Sequence, residues 1–396
     1  MFSKGQSYFT YNIIGMKLNN LCYAIPYKYD DVSDTMQIID PKSKRIYKVT
    51  LFLHVVYLFA MCAHLGLNRD KIPLPDILKA VVVIITYSIC IVCRITYYVW
   101  EKEGLLLLNG FLHFERKFLN EFPILDTKIR KGATFAKMVF VMGTVSCASF
   151  GIVVPLQLFR NPCTPPYIGS MRSVCLLPTS PHAGLDVIAL IGILFDAFMY
   201  FHVAQPAALM IGNYLLGFGC SLQEYLGVIG SQTTRIRIKA FVTPRIKENF
   251  IKKSFRIYSQ CQILVKQIDV VFKNLFIPGV YAVASNGIVF SLYVCIRMHS
   301  TISIAGLSFF VMLLIDFLMT VGLDLASMGN VNLKSSQLTE KWKNMEGFGR
   351  RSEAKRISRS FQPLKIRFGS NFIDHLTSLT VLDHCLSLTV SLLLIS

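Results

Sequence analysis

Seven long apolar stretches constrain this chain more than any other feature of its sequence. A helix needs about 20 apolar residues to cross a bilayer. The stretches that meet this length are residues 47–67, 77–99, 134–158, 185–216, 271–296, 302–327 and 375–395. Since 53% of the 396 residues are hydrophobic, an ordinary soluble domain is excluded. The sequence predicts an all-α polytopic membrane protein in which residues 1–396 form one seven-helix domain.

Lysine and arginine are distributed unevenly among the segments that these spans separate. The first, third, fifth and seventh segments carry 6, 6, 9 and 10 of them, whereas the second, fourth and sixth carry 2, 2 and 1. Basic residues are retained on the cytoplasmic side of a membrane. The pattern predicts a cytoplasmic amino terminus and an extracellular carboxyl terminus, the reverse of a G-protein-coupled receptor. Residues 1–46, 217–270 and 328–374 are then cytoplasmic.

The formal charge of +18 fits a membrane surface better than a nucleic acid. Most basic residues lie in segments assigned to one face, where anionic lipid headgroups attract them. Met1–Asn20 lacks the apolar core and cleavage site of a signal peptide, as we expect of an amino terminus that stays in the cytoplasm.

Two segments predict helices that extend beyond the membrane. The fourth stretch is roughly 48 Å long at 1.5 Å per residue, which exceeds the hydrocarbon core, and we expect a kink at Pro206. In the fifth segment, apolar residues recur every three or four positions and lead directly into the fifth span, which predicts one continuous amphipathic helix. These residues are Ile251, Phe255, Tyr258, Cys261, Val265, Ile268 and Phe272.

Two of the eleven cysteines are predicted to form a disulfide. Cys163 and Cys175 lie twelve positions apart in the fourth segment, which the charge pattern places outside the cell. A loop-closing bond suits that oxidising compartment. Cys90 and Cys93 form a C-x-x-C sequence inside an apolar span without a second pair, so we interpret them as packing residues.

Charged residues well inside a span usually face protein or water. Three lie near the predicted inner ends of their spans and favour snorkelling or structural pairing: Arg94, Lys273 and Asp324. Three others lie deeper, and each is equally compatible with a water-filled cavity or pore and with a buried hydrogen-bond hub: Asp196, Asp316 and Asp383.

The last span carries a polar stripe. Its members recur at steps of three and four positions and therefore share one helical face: Thr377, Thr380, His384, Ser387 and Ser391. Such a face can bond to neighbouring helices or line an aqueous path among several copies, and we favour the pore. The predicted pore residues are the cation-attracting Asp383, Ser387, Ser391, and Leu394 or Ile395 as an apolar constriction.

No pattern in the sequence predicts an enzyme, a metal site or a cofactor. His375 and His384 are nine positions apart, rather than the four that would let them share a metal on one helical face. Nucleotide-binding and nucleophile motifs are also absent. We interpret His54 and His64 as hydrogen-bonded core groups.

Aromatic residues in the outer or central halves of several spans could line an apolar pocket for a small organic ligand. Packing between helices or against lipid is the alternative for each of them. The candidate ligand-binding residues are Tyr87, Phe150, Phe195, Phe198, Phe309 and Phe310.

The architecture and the carboxyl-terminal residues resemble the arthropod gustatory and odorant receptor superfamily. Phe361–Ser396 reads FQPLKIRFGSNFIDHLTSLTVLDHCLSLTVSLLLIS, similar to the last loop and helix of gustatory-type receptors from basal hexapods. The family signature is Thr-Tyr, five apolar residues, then Gln-Phe. Thr389 matches the Thr, Val390 replaces the Tyr, Ser391–Ile395 occupy the apolar run, Ser396 replaces the Gln, and the Phe is absent.

This resemblance implies a ligand-gated cation channel in the plasma membrane, either a homotetramer or a heterotetramer with related receptors. In the family the last span of each subunit lines the pore, so residues 375–395 become the pore-lining helix. Cytoplasmic parts of the later spans form an anchor, which here would include residues 217–270 and 328–374. A tastant or odorant would bind an outward-facing pocket in each subunit.

The leading hypothesis is a chemosensory receptor of gustatory type that acts as a ligand-gated, non-selective cation channel. A seven-span receptor that signals through a soluble partner is one alternative, disfavoured by the predicted orientation and by missing Asp-Arg-Tyr and Asn-Pro-x-x-Tyr motifs. A secondary transporter is the other, disfavoured because the sequence shows no internal repeat.

Overall fold

The computed structural model describes residues 7–121, 141, 145, 154–156, 158–172, 175, 186–212, 217–238, 244–300, 302, 304–344 and 353–395. Within these ranges, six helices are long and apolar enough to cross a membrane, and they match every predicted span except the third. The third predicted span, 134–158, lies almost entirely outside the described residues, as does Phe150. The prediction of an all-α polytopic membrane protein is confirmed.

The described residues contain twelve α-helices, numbered here in chain order. They are α1 Ser7–Leu21, α2 Pro41–Leu67, α3 Leu74–Val99, α4 Glu101–Glu121, α5 Val187–Met210, α6 Phe218–Ile238, α7 Pro244–Phe272, α8 Phe276–Arg297, α9 Ile304–Met319, α10 Leu325–Lys343, α11 Glu353–Ser360 and α12 Thr377–Ile395. A π-helical turn, Thr320–Asp324, joins α9 to α10. Two short hairpins pair β1 Tyr27–Asp30 with β2 Thr35–Ile38 and β3 Arg367–Phe368 with β4 Asn371–Phe372.

Side-chain caps fix where two of the spanning helices begin. The Asp40 carboxylate accepts hydrogen bonds from the backbone N–H groups of Lys42 and Ser43, each at 3.1 Å, and α2 starts at Pro41. Asp186 caps α5 in the same way and accepts from the N–H of Ala189 at 2.7 Å. Both caps satisfy donors that have no partner within the helix.

The predicted continuous helix leading into the fifth span is wrong. α7 ends at Phe272 and α8 begins at Phe276, so Lys273 lies in a turn between them. Pro278 in the first turn of α8 explains the break, because proline has no N–H and its ring clashes with the carbonyl four residues earlier. The fifth span therefore starts at Phe276 rather than at residue 271.

α8 lies at the centre of the bundle, where it packs against α3, α9 and α12, and α3 packs in turn against α2 and α5. Beyond the bundle, α4, α6, α7, α10 and α11 pack together, and we call these five helices the base. Aromatic side chains hold the base together. The rings of Phe111 and Phe218 stack at 4.1 Å, and Trp342 lies edge-on to Tyr258 at 5.2 Å.

Both hairpins connect the base to other parts of the chain, and the sequence did not predict them. The β1–β2 hairpin docks on α4 because Asn109 bonds both backbone groups of Met36, at 2.8 and 2.9 Å. The β3–β4 hairpin, just before α12, bonds the turn between α7 and α8 through Gly369 N–H and the Lys273 carbonyl at 2.7 Å. The last helix is thereby tied to the base.

Candidate functional site

Four buried tyrosines meet where α2, α3 and α5 face a loop, and we call them the tyrosine cluster. Tyr57, Tyr87 and Tyr200 come from α2, α3 and α5, and Tyr167 comes from the loop. Ring centroids lie 5.3 Å apart for Tyr57 and Tyr87, 5.1 Å for Tyr87 and Tyr200, and 5.6 Å for Tyr167 and Tyr200. These edge-on and tilted contacts are the geometries that aromatic rings prefer.

Asp196 lies buried beside the tyrosine cluster. Its Oδ1 accepts a hydrogen bond from the Tyr57 hydroxyl at 2.5 Å and a long one from the Ile168 N–H at 3.5 Å. Its Oδ2 has no hydrogen-bond partner among the described residues. Asp196 thus acts as a structural hub, and it still has one acceptor atom to offer to another molecule.

The loop that covers the cluster is closed by a disulfide between Cys163 and Cys175, whose Cα atoms lie 5.3 Å apart. Ser170 Oγ lies 3.2 Å from the His64 ring on α2, so the loop is bonded to the helix beneath it. Burial raises the pKa of the Tyr167 hydroxyl, which keeps this loop tyrosine neutral.

A chain of hydrogen bonds leads from the cluster to the segment that precedes β1. Because a guanidinium only donates, Arg94 Nη1 must donate to His202 Nδ1, 3.0 Å away. His202 therefore carries its proton on Nε2 and donates it to the Cys22 carbonyl at 2.7 Å. His54 Nε2, 2.8 Å from the same Nδ1, must also donate, so His54 Nδ1 accepts from the Tyr87 hydroxyl.

These bonds decide several predictions about charged and polar residues within spans. His54 and His64 are hydrogen-bonded core groups, as predicted. Arg94 is buried and paired, since it also donates to Thr50 Oγ1 at 3.0 Å. Asp324 is also buried, but neither of its carboxylate oxygens has a hydrogen-bond partner among the described residues. The prediction of snorkelling or pairing is therefore wrong for Asp324.

The predicted ligand-binding residues are not all brought together. Tyr87 belongs to the tyrosine cluster, and the Phe195 ring lies edge-on to Tyr57 at 5.9 Å. The Phe198 side chain is 53% exposed, and its ring stacks on His202 at 5.2 Å. The rings of Phe309 and Phe310, whose centroids lie 5.7 Å apart, are both on α9. The main packing partner of α9 is α8.

The sequence prediction missed Tyr57, Tyr167 and Asp196 as candidate ligand-binding residues. A signal for Tyr57 is present, because the buried residues of α2 recur at helical spacing and include polar groups on an otherwise apolar span. This buried stripe comprises Tyr47, Leu51, His54, Tyr57, Met61 and His64. Tyr167 reaches the cluster only through the fold of its loop.

α12 is the least covered of the six described spans. Its buried side includes Cys385 and Thr389, and the Cys385 thiol lies 3.7 Å from the Ser285 carbonyl of α8. At about 100° per residue, the predicted pore residues fall within an arc of roughly 120° on the opposite side. All of them are exposed in the single chain: Asp383, Ser387, Ser391, Leu394 and Ile395.

A reciprocal cap holds the beginning of α12. The Asp374 carboxylate accepts from the Thr377 hydroxyl at 2.7 Å and from the Leu376 N–H at 3.0 Å, and Thr377 Oγ1 lies 2.9 Å from the Asp374 N–H. These hydrogen bonds, that of Thr377 first, hold the pKa of Asp374 below its usual value. The start of the helix is therefore fixed relative to the β3–β4 hairpin.

The described residues contain no group of three His, Cys, Asp or Glu side chains that could hold a metal. Fold and site together define a polytopic helical membrane protein with a buried aromatic cluster under a disulfide-closed loop and a largely uncovered last helix.

Two solved structures of the insect olfactory receptor OR5 from Machilis hrabei share this fold. The complex with eugenol is 11% identical, with a TM-score of 0.68 over 97% of this chain and 98% of that one. The second structure is 10% identical, with a TM-score of 0.70 over 98% of this chain and 97% of that one. No family model and no curated protein matches the sequence. The chain thus has the fold of an insect olfactory receptor over nearly its whole length.

Proposed function

We propose that this protein is a chemosensory receptor of gustatory type, located in the plasma membrane, that opens a non-selective cation channel when a small organic molecule binds. The observation that carries the proposal is the likeness over 97% of the chain to an olfactory receptor, one structure of which is a complex with eugenol. The proposed orientation is the one that the basic residues predict, with the amino terminus in the cytoplasm.

The tyrosine cluster is the proposed core of the ligand site. Four aromatic rings offer apolar faces and edges to an organic molecule. The Asp196 Oδ2 atom, which is buried without a partner among the described residues, would accept a hydrogen bond from a ligand hydroxyl. Tyr87 and Phe195 belong to this site, and Phe198, Phe309 and Phe310 remain candidates for its walls.

The exposed face of α12 is the proposed pore lining. A span that presents a carboxylate and several hydroxyls needs water or protein around it, and four copies arranged about an axis would provide both. Asp383 would favour cations at the pore wall, and Leu394 with Ile395 would form an apolar constriction. The base would hold the four copies together, either as one receptor type or with related receptors.

Recording from a heterologous cell that makes only this protein tests the proposal. We expect members of a panel of small aromatic and weakly polar compounds to evoke cation currents. Asp383→Asn should lower the permeability to cations relative to anions, whereas Asp70→Asn, in an exposed loop, should not. Asp196→Asn should weaken responses to hydroxyl-bearing ligands more than responses to analogues without the hydroxyl.

The same cells discriminate the alternatives. Tags that place the amino terminus outside the cell would contradict the channel orientation and favour a receptor with a soluble partner. Ligand uptake without current would favour a transporter. Ligand-evoked currents that both Asp383→Asn and Ile395→Ala leave unchanged would contradict the assignment of α12 as the pore helix.

A further inference from the structure

Asp324 is a buried carboxylate that the proposed function does not use. Its exposed fraction is 1%, and neither of its oxygens has a hydrogen-bond partner among the described residues. No described basic side chain forms an ion pair with it. Because an isolated buried charge is very unfavourable, this carboxylate requires either a proton or another positive species to balance it.

A second unpartnered group lies on α8, which packs against the turn that ends at Asp324. The Tyr281 hydroxyl on α8 is buried without a hydrogen-bond partner, and it interacts electrostatically with Asp324. The Cys220 thiol on α6 is also close enough to Asp324 to interact with it electrostatically. Burial raises the pKa of Cys220 to about 11, so the thiol is neutral and balances no charge.

The backbone at Asp324 is also irregular. Asp324 is the last residue of the π-helical turn between α9 and α10, and this turn packs against α8 and α12. Single π-helical turns interrupt the regular hydrogen-bond ladder and are frequent at functional sites. Ser327 lies one helical turn after Asp324, and its carbonyl accepts a hydrogen bond from the Gln223 side chain at 2.7 Å. This bond fixes α6 against α10.

We propose that Asp324 and Tyr281 bind a small monovalent cation, sodium or potassium, at the junction of α6, α8, α12 and the π-helical turn. Carboxylate and hydroxyl oxygens are hard ligands that suit such ions. A single carboxylate matches a single positive charge, and the described residues contain no group of three acidic, histidine or cysteine side chains that could hold a divalent metal. A proton alone would leave one carboxylate oxygen without a partner.

This cation site is separate from the tyrosine cluster and from the predicted pore residues. Its position beside α12 means that an ion bound there would brace the junction between the base and the last helix. The site can therefore be tested on the folded protein without a ligand and without recording current.

The test is thermal unfolding of the purified full-length protein in chloride salts of sodium, potassium or N-methylglucamine, at equal ionic strength and pH. For the wild type, we expect the Tm to rise saturably with sodium or potassium, and the unfolding equilibrium constant to fall roughly tenfold at ten times Kd. Asp324→Asn should abolish this dependence, and Tyr281→Phe should move half-saturation to higher cation concentration. Asp70→Asn is the matched control and should respond like the wild type.

Two results would overturn the site: a wild-type Tm that is the same in all three salts, or an Asp324→Asn variant that retains the full rise. If Asp324→Asn does not yield folded protein, Tyr281→Phe decides, since an unchanged half-saturation would then exclude the site. Either of these results would overturn the cation site and leave the channel proposal unaffected, because the channel proposal is tested by ligand-evoked current.

Discussion

Replacing Gly329 by alanine should destabilise the protein, although alanine is the better helix former. Gly329 lies in α10 against the chain that leads into α12. A Cβ atom at this position would lie 2.6 Å from the Asp374 carbonyl carbon and 2.8 Å from the His375 Cα, whereas ordinary contacts begin at 3.4 Å. The backbone before α12 would have to move by at least about 0.8 Å, because the Asp374 carbonyl oxygen lies closer to this Cβ than the carbonyl carbon does.

The expected magnitude follows from two opposing effects. Exchanging glycine for alanine inside a helix stabilises by roughly 0.5–1 kcal/mol when space is available. Overpacking against backbone atoms costs about 1–3 kcal/mol. Gly227 in α6 is the matched control, because a Cβ atom there meets nothing within 4 Å. Both variants gain from the higher helix propensity of alanine, so they should differ by the overpacking cost alone, about 1–3 kcal/mol. This is roughly fivefold or more in the unfolding equilibrium constant.

Thermal unfolding of the purified protein measures this difference. Gly227→Ala should unfold at or above the temperature of the wild type, and Gly329→Ala should unfold well below it. The distorted cap of α12 should also shift the concentration dependence of ligand-evoked current in Gly329→Ala alone. Equal unfolding temperatures for the two variants would refute the close approach of α10 to the residues that begin α12.

Three further predictions concern groups outside the spans. Because the pKa of Asp374 is depressed in the folded protein, its cap stabilises the fold above the usual aspartate pKa of about 3.9. This stability is lost as the pH falls. Asp374→Asn should therefore flatten the acid limb of a plot of Tm against pH. Changing both Cys163 and Cys175 to serine should cost roughly 3 kcal/mol, from the loop-closure entropy of a 12-residue separation, and a reductant should lower the Tm of the wild type but not of this variant. Tyr225→Phe removes the hydroxyl donor that lies 2.8 Å from the buried Glu115 carboxylate. It should lower the free energy of unfolding by about 1.5–3 kcal/mol, which thermal unfolding measures. A variant with the Tm of the wild type would contradict this hydrogen bond.

Hydropathy located the six spans that the described residues include, because burial in lipid is a property of each stretch by itself. The same local view failed before α8. Apolar periodicity continued from Ile251 through Phe272, and it outweighed the signal of Pro278, which interrupts the helix. Pro278 lies six residues after this apparently continuous apolar face, and a proline at that distance is the stronger indication of where one helix ends and the next begins.

Contacts between distant segments were beyond any local pattern. Asn109 bonds Met36 across 73 positions, and His202 bonds the Cys22 carbonyl across 180. Neither the β1–β2 hairpin nor the proton positions in the histidine chain follow from spacing in the sequence. The sequence shows Asp324 as a charge near the end of a span, but only packing shows that its two oxygens have no partner in the part of the chain that the structure describes.

The uncovered face of α12 bears on how the protein is made in the cell. A lone subunit in a bilayer would hold Asp383 and His384, both exposed in the single chain, against hydrocarbon. An aspartate at the centre of a span costs about 2.5–3.5 kcal/mol to insert. In the proposed channel of several subunits, a newly synthesised chain would thus gain stability when further copies cover this face. Delivery to the proposed site, the plasma membrane, would then report completed assembly rather than synthesis alone.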